Sequence, residues 1–349
     1  MDSDLFRDIY EKYAAAVAYI SVESVDGTQS IGTAFHVGDG IYVTAKHVVE
    51  NKNIIEVATT ERSIKDAEDA SEEDHARKIE FTHWPGKGKV IGGPYLHPDK
   101  DIDVAALKVE GIKAPVIPLG DHLDDWLGTE LVLMEAVVLG YPPIPFSREP
   151  TLVATKAEVN AIIDKYTGGH PHFILSPIAR GGFSGGPAIT RYGCTLGLVT
   201  ESLTSNGNAP ELGYLAVLSV EPIYNLLSHH SIVPDHVDRL WDGFWNTNSI
   251  NLYDPSAPIG FQHAIIDYYT GVMGKYLKIF SANENALKSA LEIVSSEIKS
   301  DSYEIEVIHE KMKKIVFDDS SINNKCVIEI RDKIVERFLG FEMVLGFGS

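Results

Sequence analysis

Between residues 17 and 218 the chain is written in short runs rich in β-branched and aromatic residues, each closed by Gly, Asp or Pro. Such runs cover 18–22, 32–37, 40–44, 103–109 and 131–139, and again 151–162, 173–175, 194–200 and 213–218. Many short strands separated by turn residues fold as an all-β sandwich or barrel, not as βαβ units, whose strands alternate with helices. This grammar is confined to the middle of the chain. Before it, Leu5, Ile9, Tyr13 and Val17 recur every four residues, which predicts a helix over 4–17. Within it, the polar stretch 61–78 reads as an exposed insertion loop. A short helix is expected over 221–229, and the composition changes near Pro234. Residues 261–280, 283–298 and 326–338 then carry helical periodicity, while 303–308 alternates as a strand does. The expected division is therefore a β-rich domain over 1–232 and an α-rich C-terminal domain over 233–349.

Composition removes several function classes. With 50 Asp and Glu against 30 Lys and Arg, the 349-residue chain carries a formal charge of −20, whose field repels a polyanion, so no nucleic-acid partner is expected. An apolar content of 44% is enough to offset the entropy of ordering, which argues against disorder. Two cysteines, Cys194 and Cys326, do not make a disulfide framework. The start shows no basic segment leading into an apolar one, and apolar stretches such as 131–140 are too short to span a bilayer. A cytoplasmic protein without a membrane partner is expected.

The segment richest in chemistry is Gly181-Gly182-Phe183-Ser184-Gly185-Gly186-Pro187. A hydroxyl nucleophile needs an exposed Oγ and nearby backbone N–H groups for a developing oxyanion, and flanking glycines let the chain turn tightly enough to provide both. Alone, a Gly-rich stretch with one Ser is more often a plain turn. Two further segments change that balance. His47 follows an apolar strand in Thr44-Ala45-Lys46-His47, and Asp103 opens a buried one in Asp101-Ile102-Asp103-Val104-Ala105. A carboxylate at such a place needs a specific donor, because burying it unpaired is costly. Asp99 and Asp101 are its rivals.

Other signals carry less. His170-Pro171-His172 and His229-His230 have no Cys or acidic residues at ligand spacing, so neither a metal nor a cofactor is expected. Gly86-Lys87-Gly88-Lys89 lacks the Ser or Thr of a phosphate loop and reads as a turn. Cys194 reads as a small buried hydrophobe.

Taken together, His47, Asp103 and Ser184 stand in the order His, Asp, Ser, and the chain resembles the trypsin/chymotrypsin-like serine peptidases, most in the style of the disulfide-free HtrA/Deg-type branch. Residues 31–35, 137–142, 196–202 and 216–222 resemble further strands of that family, and the likeness runs from Val17 to Ser228. It implies a double six-stranded β-barrel with an N-terminal helix, followed here by the α-rich C-terminal domain. No PDZ domain is supported, since only Leu339-Gly340-Phe341 faintly resembles its carboxylate-binding loop and no strand is expected after it. The resemblance implies that Ser184 attacks the scissile carbonyl, that His47 takes and returns the proton, and that Asp103 orients the imidazole. It selects Asp103 over its rivals because the family's acid directly precedes an apolar and then a small residue. Gly182 and Ser184 would supply the oxyanion-hole N–H groups.

Phe183 stands where secreted members carry an Asp that pairs with a freed amino terminus, so activation by N-terminal cleavage is not expected. Ile178, six residues before Ser184, replaces the acid of basic-specific relatives and implies a small or medium apolar preference. Ala179, Thr200, Glu201 and Ser202 would line the substrate cleft. The implied activity is a serine endopeptidase acting through an acyl-enzyme on protein or peptide substrates, with the C-terminal domain regulating access or docking a protein partner. The contrasting reading is a catalytically silent module that holds extended segments.

Overall fold

The computed structural model describes residues 2–61, 63–66, 79–83, 85–122, 124, 127–164, 170–178, 181–203, 214–240, 244, 247–254, 256, 262–271, 274–281, 283–318, 321–338 and 342–347. The chain separates into two units, Met1–Leu226 and Leu227–Ser349, so the division falls shortly before the one expected from composition.

The first unit opens with helix α1 (Asp2–Tyr13). A single 3-10 turn over Ala14–Ala16 follows, and the chain becomes extended at Val17. Strands β1 (Val17–Glu23), β2 (Gln29–Gly38) and β3 (Ile41–Thr44) form a meander, and the short helix α2 (Lys46–Val49) carries the chain to β4 (Asn53–Ala58). After an excursion come β7 (Lys87–Leu96) and β8 (Ala105–Glu110), which close a six-stranded barrel in the order β1-β2-β3-β8-β7-β4. Its interior is filled by Ala18, Ile20, Val22, Ala34, Tyr42, Val57, Leu107 and Val109, all buried. The second barrel runs β10-β11-β14-β13-β12-β9. Its strands are β9 (Glu135–Gly140), β10 (Val153–Ile163), β11 (His172–Ile178), β12 (Pro187–Thr190), β13 (Thr195–Leu203) and β14 (Tyr214–Leu218). This is the double six-stranded antiparallel barrel expected, and helix α3 (Glu221–His229) follows it.

Two expectations within this unit are corrected. The insertion at 61–78 is not wholly a loop: β5 (Ser63–Asp66) pairs with β6 (Ile79–His83) as a two-stranded ladder, and 67–78 lie outside the described residues. The Gly86–Lys89 stretch is not a turn but the entry of β7. Gly88 pairs with Val57, and a Cβ there would stand 2.3 Å from Val109 Cγ1, so the glycine permits close strand packing.

The second unit carries α4 (Asp235–Leu240) and a six-stranded sheet, which corrects the α-rich expectation. Its strands are β15 (Thr247–Tyr253), β16 (Gln262–Tyr269), β17 (Tyr276–Ser281), β18 (Tyr303–His309), β19 (Met312–Phe317) and β20 (Glu342–Phe347), in the order β18-β19-β17-β16-β15-β20. Helices α5 (Glu284–Glu297) and α6 (Asn324–Val335) form where helical periodicity predicts them, each capped by an asparagine, Asn283 or Asn323, that accepts backbone N–H bonds. Leu287, Val294, Val327 and Ile334 from these helices share one core with Ile266, Leu277, Ile279 and Ile315 of the sheet. The strand over 303–308 is present as β18.

The segment 261–280, expected as a helix, forms β16 and β17 instead. Ile265, Ile266, Tyr268 and Tyr269 favour extended backbone, and Gly271 and Gly274 break the run where a helix would have to continue. In β17 burial alternates strictly, with Leu277, Ile279 and Ser281 inside. Ile279→Ala is therefore expected to cost roughly 2–5 kcal/mol in chemical denaturation, and Phe280→Ala, on the other face, clearly less. Equal losses at both positions would contradict the strand register.

Candidate active site

The register of the first barrel brings an imidazole to a carboxylate. In the antiparallel β3–β8 pair Thr44 stands opposite Ala105, so the chain leaving β3 and the chain entering β8 lie at the same end. His47 sits three residues beyond the first point and Asp103 two before the second. Asp103 accepts twice from His47, from the backbone N–H at 2.9 Å through Oδ1 and from Nδ1 at 2.8 Å through Oδ2. An ionised carboxylate only accepts, so Nδ1 carries the proton and Nε2 the free lone pair. Asp99 and Asp101 do not compete: Asp99 Oδ1 caps the turn by accepting from the Asp101 N–H at 2.9 Å.

Burial alone would raise the affinity of Asp103 for a proton. The hydrogen bonds and charge of His47, with the nearby Lys46 ammonium, outweigh it and hold the carboxyl below the ordinary carboxylate range.

The Ser184 loop belongs to the second barrel but is fastened to the first. Thr33, fully buried in β2, is the fastening point. Its N–H donates to Ser184 O at 2.9 Å, and its hydroxyl donates to Gly182 O at 2.6 Å. The same hydroxyl accepts from Tyr141 N–H at 2.9 Å, and Thr33 O accepts from the Thr44 hydroxyl at 2.7 Å. Glycine is required where this loop meets the first barrel. Gly185 has φ +87°, and a Cβ on it would stand 2.0 Å from Thr33 O and 3.0 Å from Ala45 N, two residues before His47. The Gly185 N–H donates to Val199 O at 2.7 Å, and Val199 N–H returns a bond to Gly186 O at 2.9 Å, so the loop runs antiparallel to the middle of β13.

Ser184 Oγ donates to Thr200 O at 3.3 Å, and among the described residues no hydrogen bond joins it to His47. Among the described residues the N–H groups of Gly182 and Ser184 have no acceptor. Phe183, only 5% exposed, packs into the core of the second barrel. Gly140 makes room for it, since a Cβ there would lie 2.6 Å from Phe183 Cδ1. A buried ring thus anchors the loop at the position where secreted relatives were expected to use an ion pair.

The remaining cleft residues are placed only in part. Thr200 is buried in β13, and its carbonyl meets Ser184. Glu201 and Ser202 continue β13 opposite Ala216 and Leu215, and Ile178 pairs with Tyr214. Ala179 lies outside the described residues. Thr33 is the residue that sequence reasoning missed. The signal was present in Ile31-Gly32-Thr33-Ala34-Phe35, where one polar side chain interrupts a buried strand and therefore needs partners.

Fold and site together define a double-barrel hydrolase domain with its polar residues gathered where the barrels meet. Residues 32–198 match the family model described as "Trypsin-like peptidase domain". Among solved structures it is similar to the Rv3671c protease from M. tuberculosis in its active form, at 19% identity over 65% of this chain and 86% of that one, with a TM-score of 0.44. It is also similar to the serine endoprotease from Yersinia pestis, at 15% identity over 65% of this chain and 66% of that one, with a TM-score of 0.42. No curated protein matches the chain.

Two outcomes are expected. Thr33→Val keeps the shape but strands Gly182 O and Tyr141 N–H, and should cost about 1–3 kcal/mol in urea unfolding; a neutral result would remove the fastening role. The Asp103 proton is bound less readily in the folded state, so its hydrogen bonds stabilise the fold above the unfolded carboxylate pKa of about 3.9 and lose that effect as pH falls through the lowered folded value. Carboxyl NMR of His47→Ala should show Asp103 titrating higher than in the parent; an unmoved titration would contradict the assignment.

Proposed function

We propose that the chain is a serine endopeptidase that works through His47, Asp103 and Ser184. The observation that carries this reading is the double acceptance of His47 by Asp103, which fixes the ring with Nδ1 protonated and leaves Nε2 to act as a base. In the reaction, Ser184 Oγ attacks the peptide carbonyl while its proton passes to His47 Nε2. Asp103 stabilises the imidazolium, and the Gly182 and Ser184 N–H groups hold the oxyanion. The leaving amine takes the proton from His47, and water, deprotonated by the same ring, releases the acyl group. An extended substrate would add as a strand beside β13 at Thr200, Glu201 and Ser202. Ile178 and Ala179 border the primary pocket in this reading, which favours small or medium apolar side chains there. A cytoplasmic setting belongs to the same proposal; its support is that both cysteines are free thiols. Among the described residues no helix is long and apolar enough to cross a membrane. The C-terminal unit, which has its own core, is assigned the regulatory or docking role.

One observation favours the contrasting reading of a silent module that holds peptide segments: the Ser184 hydroxyl donates to Thr200 O and not to His47. Rotation of the Ser184 side chain on substrate binding would redirect it, as hydrogen bonds in free enzymes commonly tighten only in the substrate complex. Hydrolysis of fluorescent casein and of a peptide library separates the two. The peptidase reading expects cleavage after apolar residues and a fall of roughly 10³-fold or more in Ser184→Ala and Asp103→Asn. Peptide binding without any cleavage would establish the silent module, and a strong preference for Arg or Lys would overturn the apolar pocket.

A further inference from the structure

Away from the cleft, Asp124, His170 and Glu221 converge, each offering a ligand atom within 4.8 Å of the others. Asp124 comes from the segment before β9, His170 from the approach to β11, and Glu221 is the first residue of α3. His170 Nδ1 bonds Asp124 Oδ2 at 2.5 Å, and the Asp124 N–H donates to Glu221 Oε2 at 2.8 Å. The His170 and Asp124 side chains are only 20% and 13% exposed, so the pair is largely withdrawn from solvent. Its acidic neighbours are invisible at local spacing because they lie 46 and 51 residues away in sequence (170 − 124 and 221 − 170).

Two carboxylates are thus drawn from water beside one imidazole, and Asp124 Oδ1 is fully buried with no hydrogen-bond donor among the described residues. Beside this cluster His97, 5% exposed, stands edge-on to the His170 ring at 6.4 Å between centroids, and its Nε2 also lacks a partner among the described residues. Buried polar atoms of native proteins are ordinarily satisfied, and a carboxylate oxygen more than most. A cation provides what the protein does not. One imidazole nitrogen with carboxylate oxygens suits zinc or manganese; calcium takes oxygen ligands alone, and copper(I) prefers sulfur.

We propose that Asp124, His170 and Glu221 form a divalent transition-metal site, taking Zn²⁺, that ties the inter-barrel segment, the approach to β11 and the start of α3 together. It does not depend on the peptidase reading. The His170–Asp124 hydrogen bond is the metal-free form. Zn²⁺ displaces the proton shared by His170 Nδ1 and Asp124 into water, the carboxylate turns to offer Oδ1, and that oxygen and Nδ1 come to stand about 3.3 Å apart, the spacing of neighbours held at ~2.0–2.1 Å on a tetrahedral ion, with water as the fourth ligand.

The test is calorimetric titration of the full chain, stripped with EDTA and dialysed, with ZnCl₂ and in parallel with MnCl₂ and CaCl₂, alongside thermal unfolding. One Zn²⁺ per chain and a raised Tm are expected, with calcium far weaker. Affinity should fall roughly tenfold or more in Asp124→Asn and in His170→Gln and be unchanged in His47→Ala, which removes the other His–Asp pair. Absence of saturable binding, or binding that survives both first variants, overturns the proposal. Loss in His47→Ala alone does so too. Should Asp124→Asn fail to fold, His170→Gln and the parent titration decide.

Discussion

The side chain and backbone of Thr33 hold the Ser184 loop of one barrel against the His47 end of the other. Four hydrogen bonds meet at this one buried residue, and they reach Ser184, Gly182, Tyr141 and Thr44. Two closed sheets on a common chain have many ways to lie together. A polar residue inside the seam removes most of them, because every other arrangement strands buried donors and acceptors. The glycines act from the other side of the same constraint: Gly185 admits the backbone of Thr33 to a distance that no side chain allows. The catalytic proposal rests on this seam, since a triad drawn from two barrels is only as well defined as their contact.

Within the first barrel the chemistry follows from register. Thr44 opposite Ala105 delivers His47 and Asp103 to one end, and Asp103 then engages both the ring and the backbone of His47. The carboxylate is stabilised in its ionised form despite its burial. That is the state in which it orients a neutral imidazole and favours the imidazolium when a proton arrives. The second barrel supplies a loop anchored by the buried Phe183 ring and two N–H groups, those of Gly182 and Ser184, without acceptors among the described residues.

Much of the β architecture was legible because short β-rich runs closed by turn residues mark strands even where, as in β3 and β12 beside His47 and Ser184, every position is buried and no alternation is written. What failed to be legible shares a cause: the deciding partners are distant. Ile265, Ile266, Tyr268 and Tyr269 fit a helical stripe as well as a strand until pairing with β15 and β17 settles the period. Thr33 looks like an ordinary strand threonine until Gly182, 149 residues on, and Ser184 come to meet it. His170 has no Cys or acidic residue at ligand spacing in sequence, and only folding brings Asp124 and Glu221 beside it. Gly88 reads as a turn residue because sequence shows the flexibility of glycine and not the Val109 methyl group pressed against it.

The most direct measurement is a crystal structure of the chain after reaction with a peptidyl phosphonate, whose phosphonyl oxygen stands in for the oxyanion of the tetrahedral intermediate. The account predicts a covalent bond from Ser184 Oγ to phosphorus. The phosphonyl oxygen should accept from the Gly182 and Ser184 N–H groups, with His47 Nε2 at hydrogen-bond distance from the leaving-group side and its Nδ1 still on Asp103. A chain that stays unmodified, or an adduct in which His47 remains far from Ser184, would contradict it.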